Sequence, residues 1–288
     1  MSSASRQHNQ RKIEPMLPQN LSIMDAVTRV FPNVFLFDGG RYVIATTIMM
    51  GILWFVHRTR LRVRIIQDRR PMRKDYRREI TASFVSVCVY ASMASVALWL
   101  RSNGYAADNY PGEASTLTIA GFVVVLLIVH DAYFYWTHRL LHTPRFFRLW
   151  HRTHHKTITP TPYAAYAFDW REAFVQGFMP IAWICVVPTP NLAMFIFLGI
   201  MIARNAWGHS GAELHHAGFA DHWFWGLFTT ATHHDLHHSG GFGSNYGLYF
   251  TWWDRIMGTE HPRYREIYRE ITTRPLKLVE TDQRKLSA

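Results

Sequence analysis

Long apolar stretches without charged residues set the pattern of this chain. Residues 80–100 form 21 consecutive uncharged positions, and a helix of that length spans roughly the 30 Å hydrocarbon layer of a bilayer. The stretch at 42–56 is short for a span. The pattern predicts an all-α integral membrane helical bundle of four to five spans, and buried core helices of a soluble protein are the alternative. The stretches are 42–56, 80–100, 117–136, and 173–187 with 192–202, which a turn at 188–191 joins into a hairpin.

The stretches also suggest a division of the chain. Residues 1–40 predict an N-terminal arm, since no apolar signal-peptide core closely follows Arg11 and Lys12. Residues 41–262 predict one membrane-embedded domain, and 263–288 a charged C-terminal tail.

The positive charge of the chain is concentrated beside the apolar stretches. The net charge is +11, and ten lysines and arginines lie between Arg58 and Arg78. Such a cluster next to membrane spans favours the cytoplasmic side and argues against nucleic acid as the partner. If the chain is followed from this loop through the predicted spans, every histidine group lies on the same, cytoplasmic side.

Histidines cluster in the second half of the chain at helical spacing. Fourteen of the 17 histidines lie between residues 130 and 238. Most stand at i, i+3 or i+4, which are neighbours on one helix face. Converging imidazoles bind Zn, Cu, Fe or Ni, and nine exceed the coordination number of one ion, so the pattern predicts two metal ions. The candidate ligands are His138 and His142; His151, His154 and His155; His209; and His234, His237 and His238.

Nearby polar residues are candidates for supporting these ligands. Asp131 and Tyr135 share a helix face with the first histidine pair, where a carboxylate could accept the second N–H of a ligand and fix its tautomer. Packing without a metal role is the alternative. His130, beside Asp131, and His233, beside the last triplet, are further candidates.

Local signals predict where the ligand helices begin. Thr143-Pro144 resembles an N-cap followed by proline at the first helical position, ahead of the second histidine group. Thr230 or Thr232 can cap the helix of the third group. Asp169 and Glu172 have the spacing of a capping box at the start of the hairpin.

The choice of metal decides the chemistry. Zinc hydrolases use fewer protein ligands and a carboxylate base, often as His-Glu-x2-His, which this chain lacks. Glu213 is the carboxylate that a membrane zinc hydrolase acting on a lipid would need. Many neutral imidazoles beneath membrane helices instead suit redox iron that activates O2, although spacing alone leaves zinc and copper open. A non-catalytic metal-binding membrane protein is the third possibility.

The histidine segments resemble the histidine boxes of the sterol desaturase and fatty acid hydroxylase superfamily, which are membrane-bound di-iron oxygenases. The resemblance covers about residues 80–262 and extends to two further segments, which are similar to the sterol-modifying branch. The segments are HDAYFYWTHRLLH (130–142), HRTHH (151–155), PTPYAA (160–165), HHDLHH (233–238) and NY…TWWDRIMG (245–258).

The resemblance implies that 41–262 is a di-iron oxygenase domain in which the nine histidines hold two iron ions. It implies O2, an external electron donor and oxidation of a lipid C–H bond, with hydroxylation expected ahead of desaturation; zinc could substitute for iron. One position departs from the lipid hydroxylases, where a His-x3-His pair stands in place of Asn205-x3-His209. Asn205 is therefore a candidate for a weak or second-sphere role.

The partners follow from what the chain does not carry. It has no dinucleotide fingerprint and no haem or iron–sulfur ligand set, so electrons must come from outside. A basic cytoplasmic surface suits an acidic ferredoxin, a b-type cytochrome or a reductase. The substrate is expected to be a membrane lipid, either a fatty acyl lipid or a sterol-like one.

Overall fold

The computed structural model describes residues 19–239 and 242–276, and these are almost entirely helical. Within these ranges the β-pairing is limited to two isolated bridges, Ile65–Ala212 and Phe228–Phe250. The all-α prediction is therefore confirmed. The helices are α1 (Ile23–Arg58), α2 (Arg73–Ser102), α3 (Thr116–Leu141), α4 (144–155), α5 (Trp170–Val186), α6 (Asn191–Gly208), α7 (Ala231–Ser239), α8 (Trp252–Ile256) and α9 (Tyr264–Thr272).

Four of these helices are long and apolar enough to cross a membrane: α1, α2, α3 and α6. Helix α5 has 17 residues and is shorter than the four; its main packing partner is α2. Large apolar side chains such as Leu117 and Val124 stay exposed on α3, as expected for a surface that faces lipid. The chain is a multi-pass membrane protein, as the apolar stretches predicted.

Helix α1 extends far beyond the apolar stretch at 42–56. It begins with a capping box in which Ser22 and Asp25 satisfy each other's backbone N–H groups. It then continues through Asp38 and Arg41, two charged residues one turn apart that form a buried ion pair. The predicted border between arm and domain at residue 40 lies inside this helix. Residues 1–18 of the predicted arm and 277–288 of the predicted tail lie outside the described residues.

The helix ends that carry the histidines meet at one end of the bundle. The arginine-rich segment Arg60–Arg64 lies there too: the Glu213 N–H donates to the Arg64 carbonyl at 2.9 Å, and the Ile66 N–H donates to the Gly211 carbonyl at 2.9 Å. At the other end, the Arg101 guanidinium donates to the Ile184 carbonyl at 2.5 Å. The basic loop and the histidines thus share one side, as the sequence predicted.

Candidate metal centre

The nine candidate ligands converge on two adjacent points. In each group the potential ligand atoms lie within 4.8 Å of one another. Eight of the nine side chains are buried, and that of His142 is half-buried. The first group is His138, His142, His151, His155 and His237; the second is His154, His209, His234 and His238.

Two short helices supply both groups at once. In α4, His151 and His155 stand four residues apart and point to the first group, while His154 points to the second. In α7 the roles are exchanged, because His234 and His238 belong to the second group and His237 to the first. Consecutive residues on a helix diverge by roughly 100°. A His-x2-His-His triplet can therefore serve two neighbouring ions.

Several imidazoles have their tautomer fixed by a backbone carbonyl. His138 Nδ1 donates to the Tyr246 carbonyl at 2.9 Å, and His237 Nδ1 donates to the Ser244 carbonyl at 2.7 Å. A carbonyl oxygen only accepts, so the proton of each neutral ring is on Nδ1. The Nε2 lone pair of each ring then faces its group, which is how second contacts prepare histidine for a metal.

The spacing of the Nε2 atoms fits ligands of one ion. His151 and His155 have Nε2 atoms 3.0 Å apart, as do His209 and His234. With metal–nitrogen bonds of about 2.1 Å, such a separation corresponds to an angle of roughly 90° at the ion. Lone pairs that face each other this closely repel unless a cation lies between them. The donor set of each group thus fits a bound metal ion.

Burial keeps these histidines neutral. Desolvation lowers the pKa of His209 to about 4. The pKa values of His154 and His238 are also well below the usual range. Burial is the larger cause, and the neighbouring imidazoles lower the two pKa values further. A neutral imidazole keeps the lone pair that a metal requires at neutral pH.

Glu172 contacts the first histidine group. Its spacing from Asp169 had predicted a role in a capping box, and that prediction is wrong. Asp169 does cap α5, accepting the Arg171 N–H at 3.0 Å. The Glu172 carboxylate, however, does not complete a capping box: it is fully buried and accepts the His151 Nδ1–H at 2.7 Å. It therefore orients a candidate ligand and fixes its tautomer.

Helix α4 begins at Pro144, as predicted, but without the expected cap. The Thr143 hydroxyl donates to the Leu140 carbonyl at 2.8 Å and makes no capping contact. The segment Phe147–His151 is a wide π turn, in which the Arg152 N–H reaches back five residues to the Phe147 carbonyl. In α7 the capping prediction is confirmed, because Thr230 Oγ1 accepts the His233 N–H at 3.2 Å.

The residues predicted to support the ligands instead contact residues 249–259, which follow α7 in the chain. Asp131 accepts the backbone N–H groups of Tyr249 and Phe250 and the indole N–H of Trp252, at 2.9 to 3.2 Å. The prediction that the Asp131 carboxylate accepts the second N–H of a candidate ligand is therefore wrong. The others lie as follows: Tyr135 shares a hydrogen bond with Thr259, His130 with Tyr249, and His233 lies 3.5 Å from Asp254.

Asn205 supports His209 through its backbone. Its carbonyl accepts the His209 Nδ1–H at 2.8 Å, while its side-chain amide donates to the Ala165 carbonyl at 2.6 Å. The amide nitrogen thus holds the 162–166 turn, while the backbone carbonyl fixes the Nδ1 proton of His209.

The segment 245–258, for which the sequence predicted a family resemblance but no contact, presents a backbone carbonyl to the first histidine group. The buried Asp254 carboxylate accepts the backbone N–H groups of Tyr246 and Gly247 at 2.9 and 2.8 Å. Burial alone would raise the pKa of Asp254, but the nearby His233 ring and hydrogen bonds from Thr259 and the Tyr246 backbone outweigh it and lower the pKa. This contact fixes the Tyr246 carbonyl that accepts from His138.

The carboxylate required by the hydrolase hypothesis has other partners. Glu213 accepts from His215 Nδ1 at 2.8 Å and from the Thr232 N–H and hydroxyl at 3.0 and 2.8 Å. It belongs to neither histidine group. Glu213 therefore stabilises the start of α7. It does not lie among the candidate ligands, where the catalytic base of a zinc hydrolase would be needed.

An apolar cavity of about 510 Å³ lies between the membrane helices and adjoins the metal centre. Phe168 and Phe134 line it and also contact candidate ligands, with ring centroids 4.9 Å from His154 and 5.0 Å from His138. At the opposite end it reaches Arg101. Its size is that of a small-molecule site.

Together these features define a membrane helical bundle with two adjoining histidine groups, each able to hold a metal ion, beside an apolar cavity. Residues 123–259 match the family profile described as "Fatty acid hydroxylase". No solved structure matches the chain.

Curated relatives are named as sterol-modifying enzymes. A Delta(7)-sterol 5(6)-desaturase of Gibberella zeae is 34% identical over 50% of this chain and 43% of its own. Human lathosterol oxidase is 29% identical over 65% and 62%, and a methylsterol monooxygenase of Aspergillus fumigatus is 28% identical over 51% and 50%. The chain thus spans about half the length of most of these relatives. The matches to residues 123–259 and to these relatives support the resemblance to the sterol desaturase and fatty acid hydroxylase superfamily.

Proposed function

We propose that this protein is a membrane-bound di-iron oxidoreductase that uses O2 and external electrons to oxidise a C–H bond of a lipid. The observation that carries the proposal is the pair of adjoining imidazole groups beside an apolar cavity. The names of the relatives support lipid oxidation.

The nine histidines would hold the metal, five at one point and four at the other. Two iron ions, when bound, would supply O2 activation and the electron transfer that oxidation of an unreactive C–H bond needs. The chain's own residues do the positioning. Glu172 and the Tyr246 carbonyl keep the Nδ1 protons of His151 and His138 away from the centre, and Phe134 and Phe168 line the end of the cavity next to that centre.

The cavity supports a lipid substrate. Its walls come mostly from apolar side chains of the membrane helices, so a substrate can enter it without leaving an apolar environment. The oxidised carbon would lie at the end next to Phe134 and Phe168. We propose hydroxylation as the main outcome, with desaturation as the second, and product mass separates them.

A basic groove supports the proposed electron donor. A groove of about 1050 Å³ is lined by six arginines and two aspartates, and it reaches Ser210 and Asp235, which neighbour the ligands His209 and His234 in sequence. A positive surface this close to the centre suits an acidic ferredoxin, a b-type cytochrome or a reductase domain. The arginines are Arg58, Arg60, Arg62, Arg69, Arg70 and Arg274.

The same arginines support a cytoplasmic position for the metal centre. Basic residues beside spans are retained in the cytoplasm, and this loop contacts the histidine end of the bundle. The experiment that tests the proposed function is product analysis under labelled O2 with membranes that hold the iron-loaded protein and a reductase system. A lipid product with one labelled oxygen is expected; turnover that is equally fast without O2 would contradict it.

A further inference from the structure

An apolar segment in the loop between α6 and α7 is exposed on the surface of the protein. Residues 223–228 read WFWGLF. Trp223, Phe224 and Trp225 have exposed fractions of 81%, 40% and 45%, and Ile256 on the adjoining helix α8 is 72% exposed. Tryptophan is largely buried in most soluble proteins, so a group of exposed aromatic side chains indicates an interaction surface.

The segment lies beside a membrane-spanning helix and not beyond its end. It pairs with the start of α8, where the Thr251 N–H donates to the Leu227 carbonyl at 2.8 Å. The next residue, Trp252, donates its indole N–H to the Asp131 carboxylate of α3 at 2.9 Å. Asp131 precedes the end of α3 at Leu141 by ten residues, which is about 15 Å along a helix. The segment is therefore connected to α3 well inside the span.

Helix α6 holds the segment from a second side. The Arg204 guanidinium, four residues before the end of α6 at Gly208, donates to the carbonyl and the hydroxyl of Thr229, which directly follows the segment. The lipid-facing surface of α3 also continues into α8, because the exposed Trp136 ring meets the Trp253 ring with centroids 5.7 Å apart. The exposed aromatic segment thus adjoins the surface that faces lipid.

The backbone of the segment is satisfied without water. The N–H groups of residues 224–228 all donate to acceptors at residues 222, 224 and 225, at 2.8–3.2 Å. The Gly226 carbonyl accepts from the Thr251 hydroxyl at 2.8 Å. An unpaired backbone group is costly in an apolar layer, so these contacts allow the segment to leave water.

Two charged residues that flank the segment are paired. Asp221 forms an ion pair with Arg269 at 2.7 Å, and Arg255, which also donates to the Gly226 carbonyl, forms one with Glu260 at 3.2 Å. Paired charges and exposed tryptophans suit the boundary between lipid head groups and acyl chains, where tryptophan is enriched.

We infer that residues 223–228, together with Ile256 of α8, are seated in the membrane interface at the histidine end of the bundle. The partner of this surface is the phospholipid layer itself, in the manner of an interfacial anchor. The inference concerns how the chain sits in the bilayer, and it does not depend on the proposed reaction.

The test measures the depth of spin labels in phosphatidylcholine nanodiscs. The full chain, without its two native cysteines, carries a label at Trp223→Cys or at Ile256→Cys. The reference variants are Val124→Cys, on the lipid-facing side of α3, and Glu270→Cys, which is exposed on α9. Because all four side chains are exposed, the substitutions should leave the fold intact, and thermal unfolding of each variant checks this.

The readout compares how often each label collides with O2, which concentrates in lipid, and with a water-soluble nickel chelate. We expect the ratio of O2 to nickel collisions at residues 223 and 256 to exceed that at residue 270 by about fivefold or more and to approach that at residue 124, because a polar chelate is excluded from an apolar layer. A ratio at either label equal to that at residue 270 would place the segment in water and overturn the inference. Few collisions with both reagents would show that protein covers the labels, as in a contact between two copies of the chain, and would also overturn it.

Discussion

At the scale of single residues, four of the nine candidate ligands are positioned by the partner of their second ring nitrogen. Glu172 does this for His151, and backbone carbonyls do it for His138, His209 and His237. These contacts keep the proton on Nδ1, so that the Nε2 lone pair points into the metal group. Metal affinity should therefore depend on residues that are not ligands.

Glu172→Ala should weaken metal binding. It leaves the buried His151 Nδ1–H without its acceptor, and losing such an outer contact costs about 10- to 100-fold in metal affinity. Glu172→Gln keeps an acceptor oxygen and should retain most of the affinity. Competition against a chelator of known affinity measures both variants. Equal affinity of the wild type and the alanine variant would show that Glu172 has no such role.

His154→Ala should lower the iron content and the activity together, since His154 is one of four imidazoles in the second group. His222→Ala should change neither, because His222 is exposed and its Nδ1 accepts from backbone N–H groups of residues 224 and 225. Elemental analysis of the purified variants, with product formation, checks both. Full iron and activity after His154→Ala would argue against the two-group arrangement.

The candidate ligands could be predicted because their spacing is local, whereas their supports could not. A residue at i+3 or i+4 shares a helix face with its neighbour whatever the tertiary structure. Glu172, by contrast, stands three residues after Asp169 and resembles half of a capping box, while its partner His151 lies 21 residues away. Asp131 looked like a partner for a histidine but binds backbone groups 118 residues away.

At the scale of elements, the segment after α7 connects α8 to the metal centre. Asp254 in α8 holds the backbone of Tyr246 and Gly247, and the Tyr246 carbonyl accepts from His138. The resemblance in this segment therefore has a structural reason: it presents a carbonyl to a candidate ligand.

Gly247→Ala should disturb this segment. A Cβ at residue 247 would lie 2.4 Å from the Phe250 carbonyl oxygen and 3.0 Å from Asp254 Oδ2, and backbone cannot move away as a flexible side chain can. We expect a loss of about 1–3 kcal/mol in the free energy of unfolding and a lower iron content. Gly243→Ala is the matched control, since a Cβ there meets nothing within 4 Å. Thermal unfolding of the two variants makes the comparison, and equal stability would contradict the argument.

The extent of α1 was harder to predict than that of α2. The apolar pattern of 80–100 lies inside Arg73–Ser102, because nothing charged interrupts it. In α1 the pattern breaks at Arg41, but the helix continues because Asp38 pairs with that charge and the Leu198 carbonyl accepts from it. Such a pairing depends on a neighbouring helix and is not visible in local sequence.

At the scale of the whole molecule, the basic loop and the metal centre share one end of the bundle, and 102–115 lies at the other. In a background with Cys88 and Cys185 replaced, Glu113→Cys should react with an impermeant thiol reagent applied outside intact cells. Arg69→Cys should be protected until the cells are opened. Both positions are exposed in the fold, so burial cannot explain a difference. Labelling of both from the outside would contradict the topology.

The most direct test of the central claim is the fate of O2. Membranes with the iron-loaded protein and a reductase system are supplied with ¹⁸O2, and lipids are compared by mass spectrometry with those from a His154→Ala preparation. The account predicts a lipid one oxygen atom heavier, with the label in a hydroxyl group, made only by the wild type. A product two hydrogens lighter without label would assign desaturation instead. Lipid change that is equally fast without O2, or with zinc in place of iron, would contradict the account.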